Sequence, residues 1–201
     1  MSTGRLEAFS DGVFAIAITL LVLGVRVPHA EENQLARELW RAWPSLASYV
    51  LAFFVVGISW ASHHAMFSYV VRVDRWLVLL NLGHLMCMAF VPFPTSLLAE
   101  YAHSSGNERV AAIAIGVTLT LAGVFFNAMW AYAARGHRHL TDKLSRTQAA
   151  AMGRRFLLGP ILFGLTIPVA WISPVAVLVC FALLAIFYTF APARWHSTAH
   201  S

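Results

Sequence analysis

Long apolar runs alternate with short polar connections along the whole chain. Stretches dominated by Leu, Ile, Val, Ala and Phe cover about 6–25, 45–67, 76–99, 109–133, 154–172 and 174–191, each close to or above the roughly 20 residues with which an α-helix crosses a bilayer. Hydrocarbon offers no partner for backbone N–H and C=O groups, so runs of this length are predicted as helices that satisfy their own backbone. The pattern therefore defines an all-α polytopic membrane protein with six transmembrane helices in one domain spanning 1–201. Ser173-Pro174 separates the last two runs and predicts a tight turn, because proline has no amide with which to continue a helix. Pro160 and Pro168 predict a kink in the fifth run, taken as the only proline-kinked span.

Composition supports that class. The chain is 59% hydrophobic and 11% charged, with a mean hydropathy of +0.69, whereas soluble domains are about 25% charged. Polar Ser2 and Thr3 precede Arg5, Glu7 and Asp11, which is not the basic head and cleavage site of a signal peptide, so the first helix is expected to be retained. Cys87 and Cys180 both lie inside apolar runs and read as small core residues. The formal net charge of +5 is spread between the runs without a basic, aromatic-interleaved patch, so no nucleic-acid partner is implied. Sorted by connection, the Lys and Arg residues give a topology. With a cytoplasmic N-terminus the inside set is Arg5, Arg72, Arg75, Arg135, Arg138, Lys143, Arg146, Arg154, Arg155 and Arg194, ten residues, against four outside, Arg26, Arg37, Arg41 and Arg109. The bias places both termini inside, as in a multi-pass protein of the plasma (cell inner) membrane.

The connections carry weaker signals. Trp40, Trp43, Trp76, Trp171 and Trp195 flank the runs at expected headgroup level. Leu35, Leu39 and Trp43 recur every four residues opposite Glu31, Glu38 and Arg41, which predicts either a short amphipathic surface helix over 31–43 or a mobile polar loop. The segment from Arg135 to Arg155 reads as a solvated basic loop. A topology signal is the favoured reading of it, with contact to membrane lipid phosphate as the lesser alternative.

Polar residues inside the runs share a depth. Counted at about 1.5 Å per residue from the helix ends, Ser10 and Asp11 of the first run, His63 and His64 of the second, Asn81 and His84 of the third and Asn127 of the fourth all fall in the cytoplasmic third. They predict one buried layer in which the groups satisfy one another. A metal site is not predicted: His63 and His64 are adjacent and diverge by about 100° on a helix, and no His-x-x-x-His spacing occurs. No Gly-x-Ser-x-Gly elbow, His-Glu-x-x-His or glycine-rich phosphate loop is present, so no catalytic residues are assigned and no cofactor is implied. A carrier that couples solute movement to protons through Asp11 and the histidines remains an alternative.

The first helix separates two surfaces. With Asp11 at zero, Gly12, Ile16, Thr19, Leu20 and Leu23 fall between about 80° and 180°, and Arg5 and Phe9 extend that stripe toward the N-terminus. Asp11 groups instead with Ala15, Ile18 and Val22, and Ser10 lies further round. On the wheel alone the stripe is either packed core, lipid-facing surface or a pathway.

The run Arg5-x-x-x-Phe9-Ser10-Asp11, followed by Ile16, Thr19, Leu20 and Leu23 at fixed offsets, resembles the signature of the transmembrane protein 175 family, lysosomal potassium channels and their prokaryotic homologues. The signature covers the first helix; length, six spans and a cytoplasmic N-terminus resemble a single-repeat prokaryotic member throughout. The resemblance implies a homotetramer with four copies of the first helix around a pore, conducting monovalent cations with K+ as the preferred permeant ion. It implies Ile16 as the narrowest apolar ring, with Leu20 and Leu23 as further rings and Thr19 and Gly12 beside the pathway. Arg5, Phe9, Ser10 and Asp11 would hold the helix to its neighbours. The Thr-Val-Gly-Tyr-Gly carbonyl filter of other potassium channels is not part of such a pore, and the sequence contains none.

Overall fold

The computed structural model describes residues 2–25, 31, 33–101, 106–137, 139–173, 176–177, 179–180 and 182–183. The helices are α1 Thr3–Leu20, extended by a 3-10 turn Leu21–Gly24, α2 Leu35–Arg41, α3 Trp43–Phe67, α4 Arg75–Phe90, α5 Pro92–Glu100, α6 Asn107–Ala134, α7 Arg146–Phe156 and α8 Leu158–Ile172. Five helical units are long and apolar enough to cross a membrane: Thr3–Gly24, Trp43–Phe67, Arg75–Glu100, Asn107–Ala134 and Arg146–Ile172. They match the first five predicted spans. Most of the sixth, 174–191, lies outside the described residues, but its start is visible: the Ser173 hydroxyl accepts the Ala176 amide at 3.3 Å, as a helix cap does.

The third span differs from the expectation of an unbroken helix. It divides at Val91 into α4 and α5, because Pro92 and Pro94 each remove a backbone donor and crowd the carbonyl four residues back. A local bond takes up the Met88 carbonyl that Pro92 leaves without its helical donor: Val91 donates to Met88 O at 3.2 Å. α5 then lies against the 3-10 turn of the first unit, where a Cβ on Gly24 would stand 2.4 Å from Ser96 Oγ.

The fifth span begins earlier than predicted. Half of the expected basic loop is α7, started by a capping box in which Ser145 Oγ accepts from Gln148 N and Gln148 Oε1 accepts from Ser145 N. α7 meets α8 at Leu157, three residues before Pro160, so the helix breaks where Pro160 predicts, whereas Pro168 lies inside α8 without ending it. Between α1 and α3 the amphipathic reading holds over a shorter stretch: α2 has only 7 residues, none of them buried.

α6 is the centre of the bundle, packed along α4 on one side and α8 on the other, while α1 lies against α3 and α4. Small side chains set the approach: a Cβ on Gly83 would meet the Phe125 ring, and one on Gly123 would meet Pro160 at 2.9 Å. Two apolar clusters fill the interior. One contains Phe14, Leu21, Val56, Met88, Ile115 and Leu119; the other, toward the end of the bundle that carries Arg5, Arg75 and Arg155, contains Leu6, Met66, Leu77, Met129 and Trp130.

At this basic end the connections are tied together. Val71 donates to His139 O and Thr141 to Tyr69 O, pairing the two connecting segments. Asp74 caps α4 by accepting from Leu77 N at 3.0 Å and accepts the Tyr132 hydroxyl at 2.5 Å. The Tyr132 hydroxyl, followed by the Leu77 amide, holds the Asp74 carboxyl below its ordinary range.

Candidate functional site

α1 buries Leu6, Ser10, Phe14 and Ala17, a three- and four-residue spacing that presents a single inward stripe. Within that stripe Ser10 is fully buried. Its hydroxyl donates to Leu6 O at 2.8 Å and accepts from Asn81 Nδ2 at 3.0 Å. Asn81 then has only its oxygen left for His63 Nε2, 2.7 Å away, so this nitrogen carries the proton. Three helices, α1, α3 and α4, are thus joined by one directed chain of hydrogen bonds lying between the two apolar clusters. The remaining His63 nitrogen, Nδ1, is buried without a partner.

His84 stands beside this chain. Its Nδ1 is 2.9 Å from Ala122 O, which can only accept, so Nδ1 carries the hydrogen and Nε2 is left facing Ser59 Oγ at 3.4 Å. The His63 and His84 rings lie nearly parallel at 5.9 Å, and Phe14 of α1 packs at 5.5 Å from the first and 5.9 Å from the second.

The expected layer of seven residues therefore divides. Ser10, His63 and Asn81 form the buried chain, with His84 stacked against it. Asp11 is outside it: the carboxylate is half-buried and accepts the Trp60 indole N–H at 2.9 Å. His64 points away from His63, as adjacent helical residues must, and meets Glu7 at 2.8 Å. Glu7 and Asp11 are four residues apart on α1, Trp60 and His64 four apart on α3, and the latter rings stack at 6.1 Å, so the helices are joined by two successive rungs. Asn127 belongs to neither group. It donates to Gly123 O at 2.8 Å and to Phe156 O at 2.9 Å. The Phe156 carbonyl is the one that Pro160, four residues on, leaves without its helical donor, so Asn127 repairs the fifth span instead of joining the layer.

Trp60, Ser59 and Glu7 were not singled out by sequence, although the matched four-residue spacings on α1 and α3 are a legible sign of a ladder. Among the described residues, no group of His, Cys, Asp and Glu is arranged to hold a metal ion.

The opposite surface of α1 has no cover from the described chain. Arg5, Phe9, Gly12, Ile16, Thr19, Leu20 and Leu23 are all exposed, Ile16 at 61% and Leu23 at 75%. The Thr19 hydroxyl donates to Ile16 O at 2.8 Å, which leaves its oxygen lone pairs directed outward.

A bundle of membrane-length helices, locked internally by a polar chain and bare along one face of its first helix, defines a multi-pass integral membrane protein. Comparison with known proteins carries this further. Residues 5–92 match the family described as endosomal/lysosomal potassium channel TMEM175. A potassium channel of Streptomyces collinus is 43% identical over 189 residues, covering 94% of this chain and 92% of its own. The crystal structure of a lysosomal potassium-selective channel TMEM175 homolog from Chamaesiphon minutus superposes with a TM-score of 0.84 at 36% identity, covering 97% of this chain and 98% of that one. A Gallus gallus protein named endosomal/lysosomal proton channel TMEM175 is 31% identical over 182 residues, and this chain spans 36% of its length. The chain belongs to the TMEM175 family of ion channels.

Proposed function

We propose that four copies of this chain, each a single six-helix domain with both termini cytoplasmic, form a potassium-preferring channel in the cell membrane, with α1 of each copy facing the central axis. The observation that carries the reading is the division of α1. One face is fixed to α3 and α4, and the other holds an exposed apolar stripe on the end-to-end length of a membrane helix. A ring of Ile16 side chains, with Leu20 and Leu23 rings beyond it, excludes water when narrow and passes ions when the helices separate. Thr19, whose hydroxyl hydrogen is committed to Ile16 O, presents lone pairs to a partly dehydrated cation, and the lower dehydration cost of K+ relative to smaller monovalent cations gives the preference. Potassium is named for the relatives from Streptomyces collinus and Chamaesiphon minutus, which supports the choice of ion. Gly12, without a side chain, leaves the pathway wide on the N-terminal side of the constriction.

The test is single-channel recording of Ile16→Asn in planar bilayers under mixed K+ and Na+. A polar ring should admit water, raise the current severalfold and weaken ion discrimination. Currents matching the wild type in both size and reversal potential would remove Ile16 from the constriction.

A further inference from the structure

A cavity of about 120 Å³ lies inside the bundle, with α4 and α6 as its floor and α3 and α8 as its walls. It is well above the roughly 10–15 Å³ that holds one water. Its lining is largely apolar, with Val55, Leu119, Phe126 and Phe163 among the walls. Few polar groups reach it: His84 is engaged with Ala122 O and Ser59 and the Asn127 amide nitrogen with two backbone carbonyls, which leaves the Ser62 hydroxyl, the Asn127 side-chain oxygen and the Arg155 guanidinium. Water can be held beside those few groups, but the apolar walls offer none of the roughly two to four partners that a buried water needs. An empty apolar void forfeits the dispersion contacts of its whole lining. An apolar occupant is therefore favoured, and the surroundings say which one. Leu158, Ile161 and Leu165 are exposed on α8 beside the opening, as on a lipid-facing helix. Arg155 lines the cavity at the basic end of the bundle, is exposed, and has no carboxylate partner among the described residues.

We propose that this cavity binds an anionic phospholipid of the surrounding membrane, one acyl chain entering between α3 and α8 and the phosphate resting on the Arg155 guanidinium. Guanidinium and phosphate form paired, charge-assisted hydrogen bonds, and the acyl chain replaces the missing wall contacts. The inner end of the cavity is closed by His84, whose ring packs at 5.9 Å from Phe14 of α1, so the bound chain lies one ring from the first helix. The site rests on membrane residence of the chain, not on its conduction.

Native mass spectrometry of the purified full-length protein, equilibrated with phosphatidylglycerol or with phosphatidylcholine of identical acyl chains, counts the lipid retained. The wild type should retain phosphatidylglycerol severalfold over phosphatidylcholine. Arg155→Gln should erase that preference. Ser62→Phe, which fills the cavity from α3, should lower retention of both lipids; if it fails to assemble, Leu119→Phe fills the same space from α6. Equal retention of the two lipids by the wild type overturns the proposal. So does unchanged retention in Arg155→Gln and in an assembled filling variant, the result expected if another copy of the chain occupies the cavity. The same spectra report oligomer size, so a failure of the tetramer is read separately from a failure of the lipid site.

Discussion

The two faces of α1 are built from the same helix, yet the membrane treats them in opposite ways. The inward face carries Ser10, a group that hydrocarbon disfavours, and buries it completely. The outward face carries Ile16, Leu20 and Leu23, which hydrocarbon favours, and leaves them exposed among the described residues. Side-chain polarity is thus a poor guide to which surface is working. In a membrane the cost of a polar group is met by a neighbour with matching donors and acceptors, so polar residues gather where a helix is fixed. Apolar residues carry no such demand and are free to line whatever lies beyond. Asp11 and Glu7 stand between these extremes, at a half-buried edge where α1 meets α3.

If this division is real, disruption should cost most on the inward face. Asn81 bridges Ser10 and His63 at 3.0 and 2.7 Å. Asn81→Leu leaves the buried His63 donor and a Ser10 lone pair unmatched, at about 1–3 kcal/mol each in the general case and nearer 1–2 for interhelical bonds in a membrane. The thermal unfolding midpoint of the purified protein should fall by several degrees. Ser10→Ala combined with Asn81→Leu should recover part of the loss, because fewer polar groups are then left unpaired. An unchanged midpoint in the single variant would mean that the chain is not what holds α1.

Smaller effects are expected at the edge. Trp60→Phe keeps the ring and deletes the indole donor to Asp11, an exposed bond worth about 0.5–1 kcal/mol, and should lower the same midpoint by less than Asn81→Leu does. Glu7→Gln removes the charge facing His64, whose side chain is 59% exposed. An exposed pair contributes about 0–1 kcal/mol and is screened by salt. The difference from wild type should be the smallest of the three. A Glu7→Gln loss exceeding that of Asn81→Leu would reverse the ranking of buried chain over edge.

Much of this arrangement is legible in the sequence. The apolar runs mark the membrane crossings because hydropathy and length answer directly to bilayer thickness, and five of the six are matched by described helices. The wheel separates Asp11 from the Ile16 stripe because a 3.6-residue period fixes azimuth within one helix. Between helices that period says nothing. Counting depth put seven polar residues at one height, but height without azimuth grouped Asn127 with His63, when its partner is a carbonyl freed by Pro160 on another helix. The break at Val91 was missed for a related reason: Pro92 and Pro94 sit in an apolar run, where hydropathy does not register the loss of backbone donors. The capping box at Ser145 was readable as Ser-x-x-Gln, but a basic composition read as loop obscured it.

The sharpest discrimination comes from the variants expected to change stability least. Leu20→Ala and Leu23→Ala remove large exposed side chains from the outward stripe. If the stripe faces a pathway, truncation deletes no packed contact, and both the oligomer and its unfolding midpoint should match the wild type while the unitary current rises. If the stripe is instead packed between copies of α1, each truncation opens a cavity in every interface. Leu→Ala in packed surroundings costs about 2–5 kcal/mol, repeated in each subunit, so the assembly should dissociate or melt well below the wild type. Stability and current therefore move in different combinations under the two arrangements. A stable Leu23→Ala assembly with altered current is the pattern that only an ion-facing surface produces, because the same side chain must matter to the passing ion and not to the fold.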